Sequence, residues 1–181
     1  STFNDWGTLT SQMTQGNSRI NFTTGGYTTT GDYTTRATSI SVWGIVKESK
    51  TDGRTYRGSA SNFTGAYSTT STFNDWGTIT SQVTTGNSGI YLSGTYTTTG
   101  DYTTTATSIS DWGVVLESKT DGKTYRGTSA MSNLTGAYST VSTFNDWGTL
   151  TSQVTTGYSQ IKFIDGTTTG RTGEYTTTST S

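Results

Sequence analysis

Five tryptophans, eleven tyrosines and a thin scatter of carboxylates are the residues through which this 181-residue chain could do chemistry. Histidine is absent. That removes the commonest general base, the Ser-His-Asp arrangement and most zinc sites. Cysteine is absent too, so there is no disulfide framework and no thiolate metal site. A pair of carboxylates could still hydrolyse glycosides. The acids, however, recur in register with one another. Asp5, Asp75, Asp111 and Asp146 precede tryptophan; Asp32, Asp101 and Glu174 precede tyrosine; Asp52 and Asp121 precede glycine; Glu48 and Glu117 form a further pair. Only Asp165 has no counterpart, and its Asp-Gly context reads as a turn. A catalytic site is usually built once, from residues that differ among repeats, so recurrence speaks for structure or binding. No enzymatic activity and no cofactor are expected. No Asp-x-Asp-x-Asp loop gathers the oxygens that calcium needs.

The tryptophans admit two readings. One large aromatic per repeat suits a core. An aromatic face also stacks on the C–H face of a pyranose, with neighbouring polar side chains taking the hydroxyls. The strings Asn4-Asp5-Trp6, Asn74-Asp75-Trp76 and Asn145-Asp146-Trp147 place two hydrogen-bonding groups beside such a face, and Asp111-Trp112 places one. These eleven residues are the candidate ligand-binding set. Val42 precedes Trp43, so that repeat lacks the acid. The threonine arrays raise a different chemistry. Thr97-Thr98-Thr99, Thr103-Thr104-Thr105 and Thr176-Thr177-Thr178 could order water against ice if they lay on a flat face, although sheet twist works against flatness.

A net charge of −1 supplies no basic stripe for nucleic acid and no electrostatic pull toward a membrane. No apolar run approaches a transmembrane span. The composition is rich in Thr, Ser and Gly and poor in charge. Sequons stand at Asn21, Asn62 and Asn133. The chain opens on Ser1 rather than Met. Together these lead us to expect a processed, secreted protein, with glycosylation possible at the three asparagines.

The elements that must position these residues are strands. Hydrophobic residues are 28% of the chain, too few for an ordinary core, but the aromatics bury large areas each. Thr, Tyr and Val favour strands, and no helical run is present. Ser-Thr-Phe-Asn-Asp-Trp-Gly-Thr recurs at Ser1, Ser71 and Ser142, a long period of 70 or 71 residues. Trp-Gly at Trp6, Trp43, Trp76, Trp112 and Trp147 halves it, with spacings of 37, 33, 36 and 35. The chain is therefore expected to be one domain, residues 1–181, of five units: 1–37, 38–70, 71–106, 107–141 and 142–181. Each unit reads as a Tyr-led strand, a Trp-Gly strand and a third strand. Thr51-Asp52-Gly53 and Thr120-Asp121-Gly122 read as the hairpin turns between the last two, and Thr85-Gly86-Asn87 and Thr156-Gly157 as turns in the other half-repeats. The sequence opens on the Trp-Gly part of a unit and ends on a Tyr-led strand, Glu174 to Ser179. Joined, the two complete a unit. The expected fold is all-β and antiparallel, closed into a small five-bladed β-propeller, with a β-barrel or an open β-repeat array as alternatives.

Trp112-Gly113 with Ser118 to Thr128, and a poorer copy at Trp43 to Ser59, loosely resemble the two-repeat β-barrel agglutinins of cyanobacteria and myxobacteria. The likeness covers only those segments. The second Gly after Trp-Gly and the Pro-containing motifs of those lectins are missing. From the residues themselves the expected function is a multivalent carbohydrate-binding protein whose partners are glycans. An extracellular structural or adhesive protein that self-associates is the second expectation, and ice binding the third.

Overall fold

The strands follow from the Thr/Tyr/Val-rich composition and the complete absence of proline, which leaves every backbone N–H free to enter a ladder. The computed structural model describes residues 1–22, 26–92, 94–126, 133–163 and 169–180. Twelve strands and no helix appear among them: β1 (Thr2–Phe3), β2 (Leu9–Ser11), β3 (Met13–Phe22), β4 (Gly26–Ile40), β5 (Val46–Arg57), β6 (Ser59–Phe73), β7 (Ile79–Leu92), β8 (Thr95–Ile109), β9 (Val115–Tyr125), β10 (Leu134–Phe144), β11 (Leu150–Lys162) and β12 (Thr169–Thr180). β3 to β12 form one antiparallel meander in chain order; β1 and β2 form a separate pair. The all-β antiparallel expectation holds. No closed ring appears among the described residues: β3 and β12 border the sheet and are not paired with each other.

The ten-stranded sheet holds two strands per repeat, not three. Thr51-Asp52-Gly53 lies inside β5 and Thr120-Asp121-Gly122 inside β9; Gly86 and Gly157 lie inside β7 and β11. None of them is a turn. The reason is a row that crosses the whole sheet. Gly16, Tyr33, Gly53, Tyr67, Gly86, Tyr102, Gly122, Tyr138, Gly157 and Tyr175 are register neighbours in succession. Every tyrosine ring lies over the glycine of the strand before it. A Cβ at Gly16 would sit 2.5 Å from the Tyr33 ring, and one at Gly86 2.5 Å from the Tyr102 ring. Asp-Gly is thus a strand sequence here, because only glycine leaves room for the aromatic.

Two residues along every strand runs an unbroken threonine ladder: Thr14, Thr35, Thr51, Thr69, Thr84, Thr104, Thr120, Thr140, Thr155 and Thr177. Beyond the Gly/Tyr row lies a third, Ser18, Gly31, Thr55, Gly65, Ser88, Gly100, Thr124, Gly136, Ser159 and Gly173. Period-two alternation puts these rows on one face. The opposite face carries the charges, among them Asp32, Lys50, Asp52, Arg54, Asp101, Lys119, Asp121, Lys123 and Glu174. No apolar side chain is buried among the described residues. The nearest thing to a core is a small aromatic cluster, Tyr56, Phe63, Tyr96 and Tyr91, at one end of the strands.

Candidate functional site

The turns that the Asp-Gly strings do not make are made by the tryptophan segments. Residues 4–7, 41–44, 74–77, 110–113 and 145–148 are the hairpin tips of β1–β2, β4–β5, β6–β7, β8–β9 and β10–β11. Each closes in the same way. In the third, the Gly77 N–H donates to the Asn74 carbonyl at 3.1 Å, and the Asn74 N–H donates to the Thr78 carbonyl at 2.9 Å. The Asn74 Oδ1 accepts from the N–H groups of Trp76 and Thr78, both at 2.9 Å. Gly77 has φ 76°, a left-handed conformation that glycine takes without strain. Asn4 and Asn145 repeat this arrangement. Ser41 and Ser110 supply the acceptor oxygen at the other two tips.

The turn pushes its two central residues outward. The five indoles are 83–91% exposed. The tryptophans therefore do not form the expected core; they stand on a rim of the sheet. Successive tips lie two strands apart, about 10 Å, so the indoles form one row along a single rim of the sheet. Neighbouring tips pack on one another: a Cβ on Gly113 would meet Thr78 and Ile79, and one on Gly44 would meet Thr8 and Leu9. Lys47 of β5 pairs with Asp75 of the next tip.

The candidate residues divide in two. Trp6, Trp76, Trp112 and Trp147, with Asp5, Asp75, Asp111 and Asp146, are exposed on the rim, and Trp43 joins them. Asn4, Asn74 and Asn145 sit at the same tips, but their carbonyl oxygens are committed to the turn, so their first role is to shape the loop. The three sequon asparagines stand at the opposite end of the strands: Asn21 in β3 and Asn62 in β6 are exposed, and Asn133 just before β10 is half-buried. Of the threonine triplets, Thr104 and Thr177 are rungs of the ladder, whereas Thr97 is only 2% exposed. Asp165 lies outside the described residues.

Two depressions on the charged face went unread in the sequence. One, of about 750 Å³, is lined by Asp101, Asp121, Lys123, Ser139, Tyr158 and Glu174 with their neighbours. The other, of about 690 Å³, is lined by the equivalent Asp32, Asp52, Arg54, Ser68, Asn87 and Asp101. One lining acid of each is bonded by an equivalent tyrosine. The Tyr125 hydroxyl donates to Asp101 at 2.5 Å, and the Tyr56 hydroxyl donates to Asp32 at 2.6 Å. Ionising either phenol would forfeit the hydrogen bond it donates to the carboxylate, and burial also disfavours the phenolate; together they push Tyr125 up to about 12 and raise Tyr56 as well. Hydrogen bonds from Lys119 and then Ser139 hold Asp121 below the usual carboxylate range; Ser68 first, and Lys50 after it, do the same for Asp52. The signal for these sites was present: Asp32, Asp52, Arg54 and Tyr56 return 69 residues later as Asp101, Asp121, Lys123 and Tyr125. Among the described residues no group of three acids could hold a metal ion.

No family model matches this chain, and no curated protein matches it. A crystal structure of a protein with unknown function from Bacteroides fragilis NCTC 9343 is similar over 92% of this chain and 93% of its own, at 10% identity and a TM-score of 0.29. So slight a likeness bears on neither the fold nor the function.

Proposed function

We propose that the protein is a multivalent, non-catalytic carbohydrate-binding protein of the extracellular space, whose contact surface is the tryptophan rim. The observation that carries this reading is the row of five indoles, 83–91% exposed, one on each hairpin tip. Single exposed apolar residues are ordinary on protein surfaces. A tryptophan repeated at every equivalent tip, with no packing duty, is a recognition feature. Asp5, Asp111 and Asp146 stand beside their indoles and offer acceptors to sugar hydroxyls, while Asp75 does so from its pair with Lys47. Five shallow sites spaced along one rim gain strength from avidity on a repetitive glycan surface, where one site alone would bind weakly.

A glycan array with the labelled protein tests the reading, run beside Trp76→Ala and Trp147→Ala. The expected result is binding to a defined sugar class, weakened several-fold by either change. Circular dichroism should stay unaltered, because neither side chain packs in the sheet. Absence of binding to every glycan, or binding indifferent to both changes, would remove the rim from the account.

A further inference from the structure

We propose that the uncharged face of the sheet is covered by the same face of a second copy of this chain. The sheet is a single layer, and its accessible area is 11731 Å². A folded monomer of its 19.3 kDa mass should expose roughly 8,500 Å². An antiparallel sheet normally buries one face against a second layer, and no element among the described residues supplies it.

The two faces differ sharply in what burial would cost. The ladder, Gly/Tyr and Ser/Gly/Thr rows carry no ionisable group other than tyrosine across all ten strands. Eight of the ten ladder hydroxyls already bond one another in pairs. Thr35 bonds Thr51 at 2.9 Å, Thr69 bonds Thr84 at 2.8 Å, Thr104 bonds Thr120 at 2.8 Å, and Thr140 bonds Thr155 at 2.9 Å. Covering the ladder therefore leaves these eight hydroxyls paired, and it buries threonine methyls, glycine backbone and flat tyrosine rings. The opposite face would have to desolvate Lys50, Asp52, Lys119 and Asp121, which is expensive even where they are paired.

The area suffices. Ten strands at strand spacing by four alternate residues give a patch of about 43 by 20 Å, so two copies would bury about 1,700 Å², within the range of stable protein interfaces. Twisted sheets pack face to face with their strands roughly aligned, and a two-fold axis through the ladder makes the pairing self-complementary.

Sedimentation equilibrium of the intact chain, without any sugar, over a wide concentration range is the test. The expected species has twice the mass of the 19.3 kDa chain. Thr104→Lys puts an unpaired charge at the centre of the face and should weaken association by about 100-fold or more. Thr103→Lys, on the same strand and the opposite face, should leave it unchanged. Should Thr104→Lys fail to fold, iodination of the wild-type chain still decides the matter. Tyr67, Tyr102 and Tyr138 should become protected as concentration rises, while Tyr158, which faces the other side of the sheet beside Glu174, should not. A monomer at every concentration would overturn the proposal. So would a dimer that survives Thr104→Lys, or one that Thr103→Lys dissociates. None of these outcomes depends on glycan binding.

Discussion

At the scale of single residues the organising pair is a glycine and the tyrosine laid across it. Strand propensity alone favours replacing an interior glycine, which weakens a strand. The geometry here demands the opposite sign. Gly86→Ala would place a Cβ 2.5 Å from the Tyr102 ring. It is expected to destabilise the protein by about 1–3 kcal/mol, the usual cost of overpacking. Urea denaturation measures it, and the double variant Gly86→Ala with Tyr102→Ser should recover part of the loss. A stabilised Gly86→Ala would show that the ring does not lie over the glycine. This is also where reading from sequence failed. Asp52-Gly53 and Asp121-Gly122 have the same local chemistry as a tight turn. Only the partner strand, carrying its tyrosine at the facing position, turns them into strand interior. That information is non-local, and the alternation of Gly and Tyr around a shared threonine was the trace it left in the sequence.

At the scale of the element, the hairpin tip explains why tryptophan repeats every 35 or so residues. Asn or Ser opens each tip and caps its N–H groups, glycine closes it at positive φ, and the two residues between are driven into water. Asn74→Ala removes the acceptor for two N–H groups and is expected to cost about 1 kcal/mol, whereas Asn74→Asp keeps it and should cost much less. Thermal and urea unfolding of the two variants provide the comparison; equal stability of both would mean that the cap contributes nothing. The sequence signalled the repeat through Trp-Gly spacing but hid the strand count. With the Asp-Gly strings taken as turns, each unit acquired a third strand. With the Trp-Gly strings recognised as turns, Val46–Arg57 and Val115–Tyr125 become single strands and each unit has two.

At the scale of the whole molecule, composition conveyed the all-β antiparallel class through its threonine, its aromatics and its lack of helical runs. It could not convey closure. Whether a meander bends round to join its borders depends on accumulated twist and register, and the sheet runs open from β3 to β12. Composition also misdirected the placement of the aromatics. A chain with so few aliphatics invited a tryptophan core, yet the tyrosines lie on the sheet and the tryptophans stand at its rim. Recognition by the rim depends on that placement. Tryptophan emission of the free protein, with collisional quenching by iodide and by acrylamide, tests it most directly. The account predicts emission at the wavelength of indole in water and a single quenching class nearly as accessible as free tryptophan. Blue-shifted emission with a large fraction unquenched would put the indoles back inside the protein and contradict the rim.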